Sequence, residues 1–204
     1  MKTLIIDTSS EYCLLALSEG DSIATHTLFL HANRLSQSLL PDISTLIAQA
    51  GWVLKDINRI VVGVGPGSYT GTRIGVAVAR SLSYGLNTSL RGFCSLTAFL
   101  PSAIGTFASV LPAKSGLFYL LTGDKLKKII NINRAELVSP TELQDIFSRV
   151  DFVTARCDNE LSPDLKISNF LPFQPNPDNI ILTLQAPPTY PFETDTQLIY
   201  MQGM

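Results

Sequence analysis

Two short stretches carry residue types that could do chemistry. Residues 7–10 read Asp-Thr-Ser-Ser, an acid followed by three hydroxyls, at the end of an apolar run. Residues 61–75 read VVGVGPGSYTGTRIG, with glycine at 63, 65, 67, 71 and 75 and an arginine at 73. Glycine-rich turns that open a helix bind phosphate through bare backbone N–H groups and the helix dipole. Two nucleotide templates test that chemistry. A P-loop requires G-x-x-x-x-G-K-[ST], whose lysine reaches the outer phosphates; no lysine follows any of these glycines. A dinucleotide loop requires G-x-G-x-x-G after the first strand of its fold. Here Gly63-Val64-Gly65 is followed by Pro66-Gly67, which misplaces the third glycine.

Other catalytic patterns fare no better. The two histidines, His26 and His31, are five apart, with His26 in an expected strand, so no paired metal ligands on one helix face result. No G-x-S-x-G nucleophile elbow is present. Cys13, Cys94 and Cys157 are far apart and odd in number, which speaks against a disulfide frame or zinc site and for a reducing, cytoplasmic setting. The expectation is no catalytic residue, no metal and no cofactor.

A structural reading suits the glycines better. Pro66-Gly67 turns the chain out of a buried strand, and Ser68 or Thr70 can cap the helix that follows. In that helix Gly71, Gly75, Ala79 and Ser83 recur every four residues and form one stripe. Ile74, Ala77, Val78 and Leu82 form an apolar face that can pack on a sheet. The small stripe is then left for a second helix, either 33–50 of the same lobe or one from another chain.

The elements that must position these residues follow from periodicity. Residues 2–7 are a short strand, and 13–30 are two strands around a Glu19-Gly20-Asp21 turn. Leu35, Leu39, Ile43, Leu46, Ile47 and Ala50 keep helical spacing until Gly51, with Pro41 either kinking the helix or marking its start. Residues 59–64 are a buried strand, and the next helix runs to about 82–85. Three strands, a helix, a strand and a helix suggest a mixed sheet covered by helices, the order of a ribonuclease-H-like lobe, which when duplicated builds actin-like ATPases. The second half repeats this faintly. Strands are expected at 106–111, 117–122 and 127–132, with a turn at Gly123-Asp124. A helix opens at Ser139-Pro140-Thr141-Glu142, and a strand follows at 151–155. Beyond 160 the chain is proline-rich, with one short helix near 178–185. The fold class is α/β with two lobes, 1–92 and 93–204.

Composition limits the partners. The 204 residues carry a formal net charge of -2, and the densest basic spot, KLKK at 125–128, is read as a solvated strand end. A protein that grips nucleic acid unaided shows a larger basic face, so any role near RNA is shared with a partner. The uncharged stretch 93–111 contains Pro101 and Gly105, and is read as buried helix, turn and strand rather than a membrane span.

Three stretches resemble the TsaB (YeaZ) family: LIIDTSSE at 4–11, GPGSYTGTRIGVAVARSLSYGLN at 65–87 and LIYMQGM at 198–204. The family's loop pattern, Gly-Pro-Gly-Ser-Phe-Thr-Gly-x-Arg-Ile-Gly, is matched from Gly65 to Gly75 with Tyr69 in place of Phe. The resemblance is strong over 1–92 and weak beyond. It implies an actin-like fold and a non-catalytic subunit. Such a subunit supports TsaD, the catalytic partner, in threonylcarbamoyl modification of the tRNA adenosine beside the anticodon. It also implies that a TsaE-type ATPase joins, that tRNA is met only through the complex, and that a homodimer can form alone. The two N-terminal-lobe helices are implied as the interface. Carried over, its residues are Leu35, Leu39, Tyr69, Thr72, Arg73, Gly75, Val76, Ala79, Arg80 and Ser83.

Departures accompany the match. The family shows Asp-Ala-Arg-x-x-Glu-x-Tyr after its second-lobe strand, where this chain reads Pro112-Ala113-Lys114-Ser115-Gly116-Leu117-Phe118-Tyr119. In actin-like ATPases the first-strand acid and its hydroxyl turn approach magnesium and phosphate, so Asp7, Thr8 and Ser9 read as a vestigial phosphate loop. Against this stands the simpler role of Asp7 as cap of the turn into the second strand. The alternative function is accordingly an actin-like ATPase or small-molecule kinase using Asp7 and the glycine loop.

Overall fold

A computed structural model describes residues 1–30, 35–127, 129–155, 170–172 and 175–185. The described residues divide into two compact units, with the first covering Met1–Ser95 and the second beginning at Leu96. His31, Cys157, most of the proline-rich tail and the 198–204 stretch lie outside the described residues.

In the first unit, β1 (Lys2–Asp7), β2 (Tyr12–Glu19) and β3 (Ser22–Leu30) form an antiparallel meander, with β2 and β3 turning at Gly20. Helix α1 (Leu35–Gln49) follows, then β4 (Arg59–Gly63), α2 (Tyr69–Leu86) and β5 (Ser89–Phe93). The sheet order is β3-β2-β1-β4-β5. β1 is antiparallel to β2 and parallel to β4, and β4 is parallel to β5. One core joins Leu4, Ile6, Leu15, Leu17, Ile60 and Val62 of the sheet to Leu35, Leu39, Ile43, Leu46 and Ile47 of α1 and Val76 and Ala79 of α2.

α1 continues through Pro41, so proline does not mark its start, and Gly51, at φ +70°, ends it. α2 passes Gly85, where the sequence suggested a stop, and ends only at Asn87, a left-handed cap at φ 52° whose N–H returns to the Ser83 and Tyr84 carbonyls. β5 was not anticipated. With Arg91 and Gly92 inside five residues, it carries a weak strand signal, and parallel pairing to β4 decides its conformation.

The second unit repeats the strand path of the first, with one strand added. β6 (Gly105–Pro112) is antiparallel to β7 (Phe118–Lys125), which pairs with both β8 (Ile130–Ile132) and β9 (Glu136–Val138). After α3 (Pro140–Phe147), β10 (Phe152–Ala155) lies parallel to β6, and β11 (Phe170–Pro172) parallel to β10. Helix α4 (Pro177–Gln185) follows. The path β8-β7-β6-β10-β11 thus mirrors β3-β2-β1-β4-β5. Two such ribonuclease-H-like lobes make the actin-like architecture.

The Gly123-Asp124 turn is corrected: both residues lie inside β7, and the chain turns back only after Lys125, where Leu126 N–H meets the Ile129 carbonyl at 2.8 Å. Gly123 is needed for close approach, because a Cβ there would fall on the Asn131 backbone and the Phe107 ring. Ser139 caps α3 as expected, with Glu142 reaching back to its N–H at 2.7 Å. The uncharged stretch 93–111 resolves into a short 3-10 turn at Ser95–Phe99 and strand β6. Among the described residues no helix is long and apolar enough to cross a membrane.

Candidate functional site

The turn between β1 and β2 and the glycine loop between β4 and α2 meet. Asp7 closes its own turn, its Oδ1 accepting the Ser9 N–H at 2.9 Å. The Ser9 carbonyl accepts the Ser68 N–H at 2.5 Å, and Gly67 sits so close to Ser9 that no Cβ fits between them. Ser68 then caps α2, its Oγ accepting the Gly71 N–H at 3.2 Å. Thr8 Oγ1 donates to the Gly71 carbonyl at 2.7 Å. A Cβ added to Gly71 would fall on the Thr8 carbonyl oxygen, and one added to Gly75 on Thr8 Oγ1. At the base of the loop, Ser95 Oγ donates to Asp7 Oδ1 at 3.4 Å and accepts the Gly65 N–H at 3.1 Å. A Cβ at Gly63 would lie 2.6 Å from Asp7 Oδ1.

This geometry overturns the expectation that the small stripe of α2 is left for a second helix. Gly71, Gly75 and Ala79 face their own lobe, and the first two receive the Thr8 side chain and backbone. Thr72 and Val76 are buried beside them, and Leu35 and Leu39 of α1 are core residues. Of the residues expected to touch a partner, these six (Leu35, Leu39, Thr72, Gly75, Val76 and Ala79) are therefore spent inside the lobe. Ser83 is half-buried and donates to the Thr88 carbonyl at 2.7 Å. Tyr69, Arg73 and Arg80 are exposed, with the Arg73 guanidinium 3.9 Å from the centre of the Tyr69 ring.

The outer face of α2 runs Tyr69, Arg73, Ala77, Arg80 and Tyr84, spaced three or four apart. Tyr84 is 92% exposed, Tyr69 54%, and Leu40 on α1 53%. Tyr84 and Leu40 were not among the residues that the sequence singled out. The signal was available: once the small residues are assigned to the sheet side, the opposite stripe of α2 must face outward.

Asp7 is buried and its Oδ2 has no hydrogen-bond partner; the Ser9 hydroxyl is likewise buried and unpartnered. Burial pushes the Asp7 carboxyl up from 3.8 to about 6, against the hydrogen bonds from Ser9 and Ser95, which pull it down. A phosphate or hydrated magnesium ion does not fit here. Magnesium keeps several waters, yet Oδ2 is shut off from solvent, and Thr8 and Ser9 fill the space over the glycines. Among the described residues no three His, Cys, Asp or Glu side chains gather as metal ligands.

Comparison with known proteins places the chain. Residues 30–141, more than half of it, match the family profile described as TsaD: tRNA N6-adenosine threonylcarbamoyltransferase, and the chain belongs to that family. The curated relatives it resembles are named TsaB. It is 34% identical over 103 residues to tRNA threonylcarbamoyladenosine biosynthesis protein TsaB of Escherichia coli, covering 50% of this chain and 44% of that one. The Bacillus subtilis protein of the same name is 32% identical over 123 residues, covering 58% and 53%. The chain spans about half the length of these curated relatives. Two solved structures share the fold. A Pseudomonas aeruginosa protein described as similar to peptidase YEAZ superposes with a TM-score of 0.81 at 17% identity, covering 98% of this chain and 99% of that one. YeaZ of the same organism gives 0.76 with the same coverage.

Proposed function

We propose that this chain is a non-catalytic partner subunit that binds a TsaD-type catalytic subunit in the threonylcarbamoyl modification of tRNA. The outer faces of α1 and α2 serve as the interface. The observation that carries the reading is the exposed stripe of α2, two tyrosines and two arginines with Leu40 on the neighbouring helix, in a chain whose curated relatives are TsaB proteins. Tyrosine and arginine are the residues on which interface energy concentrates. The two buried halves of α1 and α2 hold these anchors on a rigid sheet, so little ordering is needed on binding. A TsaE-type ATPase joins the pair, and tRNA is met through the complex.

The test is co-expression with the TsaD-type protein of the same organism, followed by the mass of what co-purifies. A heterodimer is expected. Leu40→Asp and Tyr84→Asp should each weaken it at least tenfold, a loss of about 1.4 kcal/mol or more, while leaving the melting temperature of the free chain within about a degree, because both sites are exposed. Two separately eluting proteins would overturn the reading. The ATPase or kinase alternative has no observation in its favour, since the glycine loop is filled by its own chain.

A further inference from the structure

Buried polar atoms in folded proteins are nearly always paired, so two orphans within one turn, Asp7 Oδ2 and Ser9 Oγ, demand a reason. A hydrated cation is excluded by the lack of space. No lysine, arginine or histidine acts on Asp7 among the described residues. The neighbours that meet it are Gly63 of β4 and Ser95 after β5. The buried Cys13 thiol on β2 is pushed up to about 12 by burial and then by the charges of Asp7 and Asp42, so it stays neutral and adds no charge. Below about pH 6 the carboxyl takes up a proton, which turns Oδ2 from an unpaired acceptor into a donor.

We propose that the Asp7–Ser10 turn is a plug seated in the small-residue stripe of α2 and closed by the buried carboxyl of Asp7, which holds the glycine loop and α2 in place instead of binding phosphate or a cation. Each residue of the plug has a distinct hold. Asp7 grips Ser95 and, through it, Gly65. Thr8 fills the notch left by Gly71 and Gly75. Ser9 fixes the backbone of Ser68, the residue that caps α2. The glycines that resemble a phosphate cradle are bare because this turn occupies them.

Full-length chain and its Asp7→Asn variant are to be melted from pH 4 to 8, with and without millimolar MgCl2. A carboxyl raised in the folded state contributes stability that is complete below about 3.8, is lost as pH rises through about 6, and changes no further above. Asparagine has no charge to bury, so the variant should gain on the wild type across that window. At pH 7 its folded-to-unfolded ratio should be higher by up to the order of 100-fold. Magnesium should move neither melting temperature. A folded variant less stable than wild type at pH 7 would overturn the proposal. So would magnesium stabilising the wild type but not the variant. Should the variant fail to fold, carbon NMR titration of the Asp7 carboxyl in the native chain decides: a midpoint near 6 supports the plug, and one at or below 4 refutes it.

Discussion

A single methyl group tests how α2 is held. Gly75 has no Cβ because Thr8 Oγ1 occupies that place, so Gly75→Ala forces the helix and the turn apart. Overpacking of this kind costs about 1–3 kcal/mol. Thr8→Ala removes the colliding hydroxyl and, with it, the bond to the Gly71 carbonyl. The double variant should therefore lose less than the sum of the two single ones, with a coupling of about 0.5–3 kcal/mol in urea denaturation. Strict additivity would mean that the two residues do not meet. The sequence made this notch legible only in part. The spacing of Gly71, Gly75 and Ala79 showed a stripe for close approach, and the stripe exists. What approaches it was not legible, because the knob comes from residue 8, more than sixty positions away, and no local pattern links them.

Helix ends were the most legible elements, since capping is local. Ser139 and Glu142 form the box their spacing implied, and Ser68 accepts the Gly71 N–H as expected. Ser68→Ala should cost about 1 kcal/mol of stability by chemical denaturation, and Ser139→Ala a similar amount. An unchanged midpoint in either variant would show that its cap contributes nothing. Strands were legible where apolar runs are long, as at β1, β2 and β4, and missed where they are short or interrupted. β5 contains an arginine and a glycine, β9 has three residues, and Gly123-Asp124 imitates a hairpin turn inside β7. In all three, pairing with a neighbouring strand fixes the conformation, and that pairing is non-local.

At the scale of the whole molecule, charge separates a partner subunit from an RNA-binding one. With 15 basic against 17 acidic residues, the chain has no net positive charge of the kind that lets a protein grip RNA unaided. Alone, it should fail to shift tRNA in a gel even at low salt, and a shift that weakens steeply with added salt would contradict the shared-partner reading. The two lobes were legible as a faint repetition of strand, strand, strand and helix. The exactness of the repeat was not: both sheets follow one path, with the antiparallel and parallel pairings in matching places.

That repeat sets two corners side by side for comparison. β1 ends at Asp7, paired with Leu14, and its counterpart β6 ends at Pro112, paired with Phe118. The corner thus ends in an ionisable carboxyl in one lobe and in a proline ring in the other. The second sheet forms with no carboxyl at that strand end, so a corner without a charge is compatible with this fold.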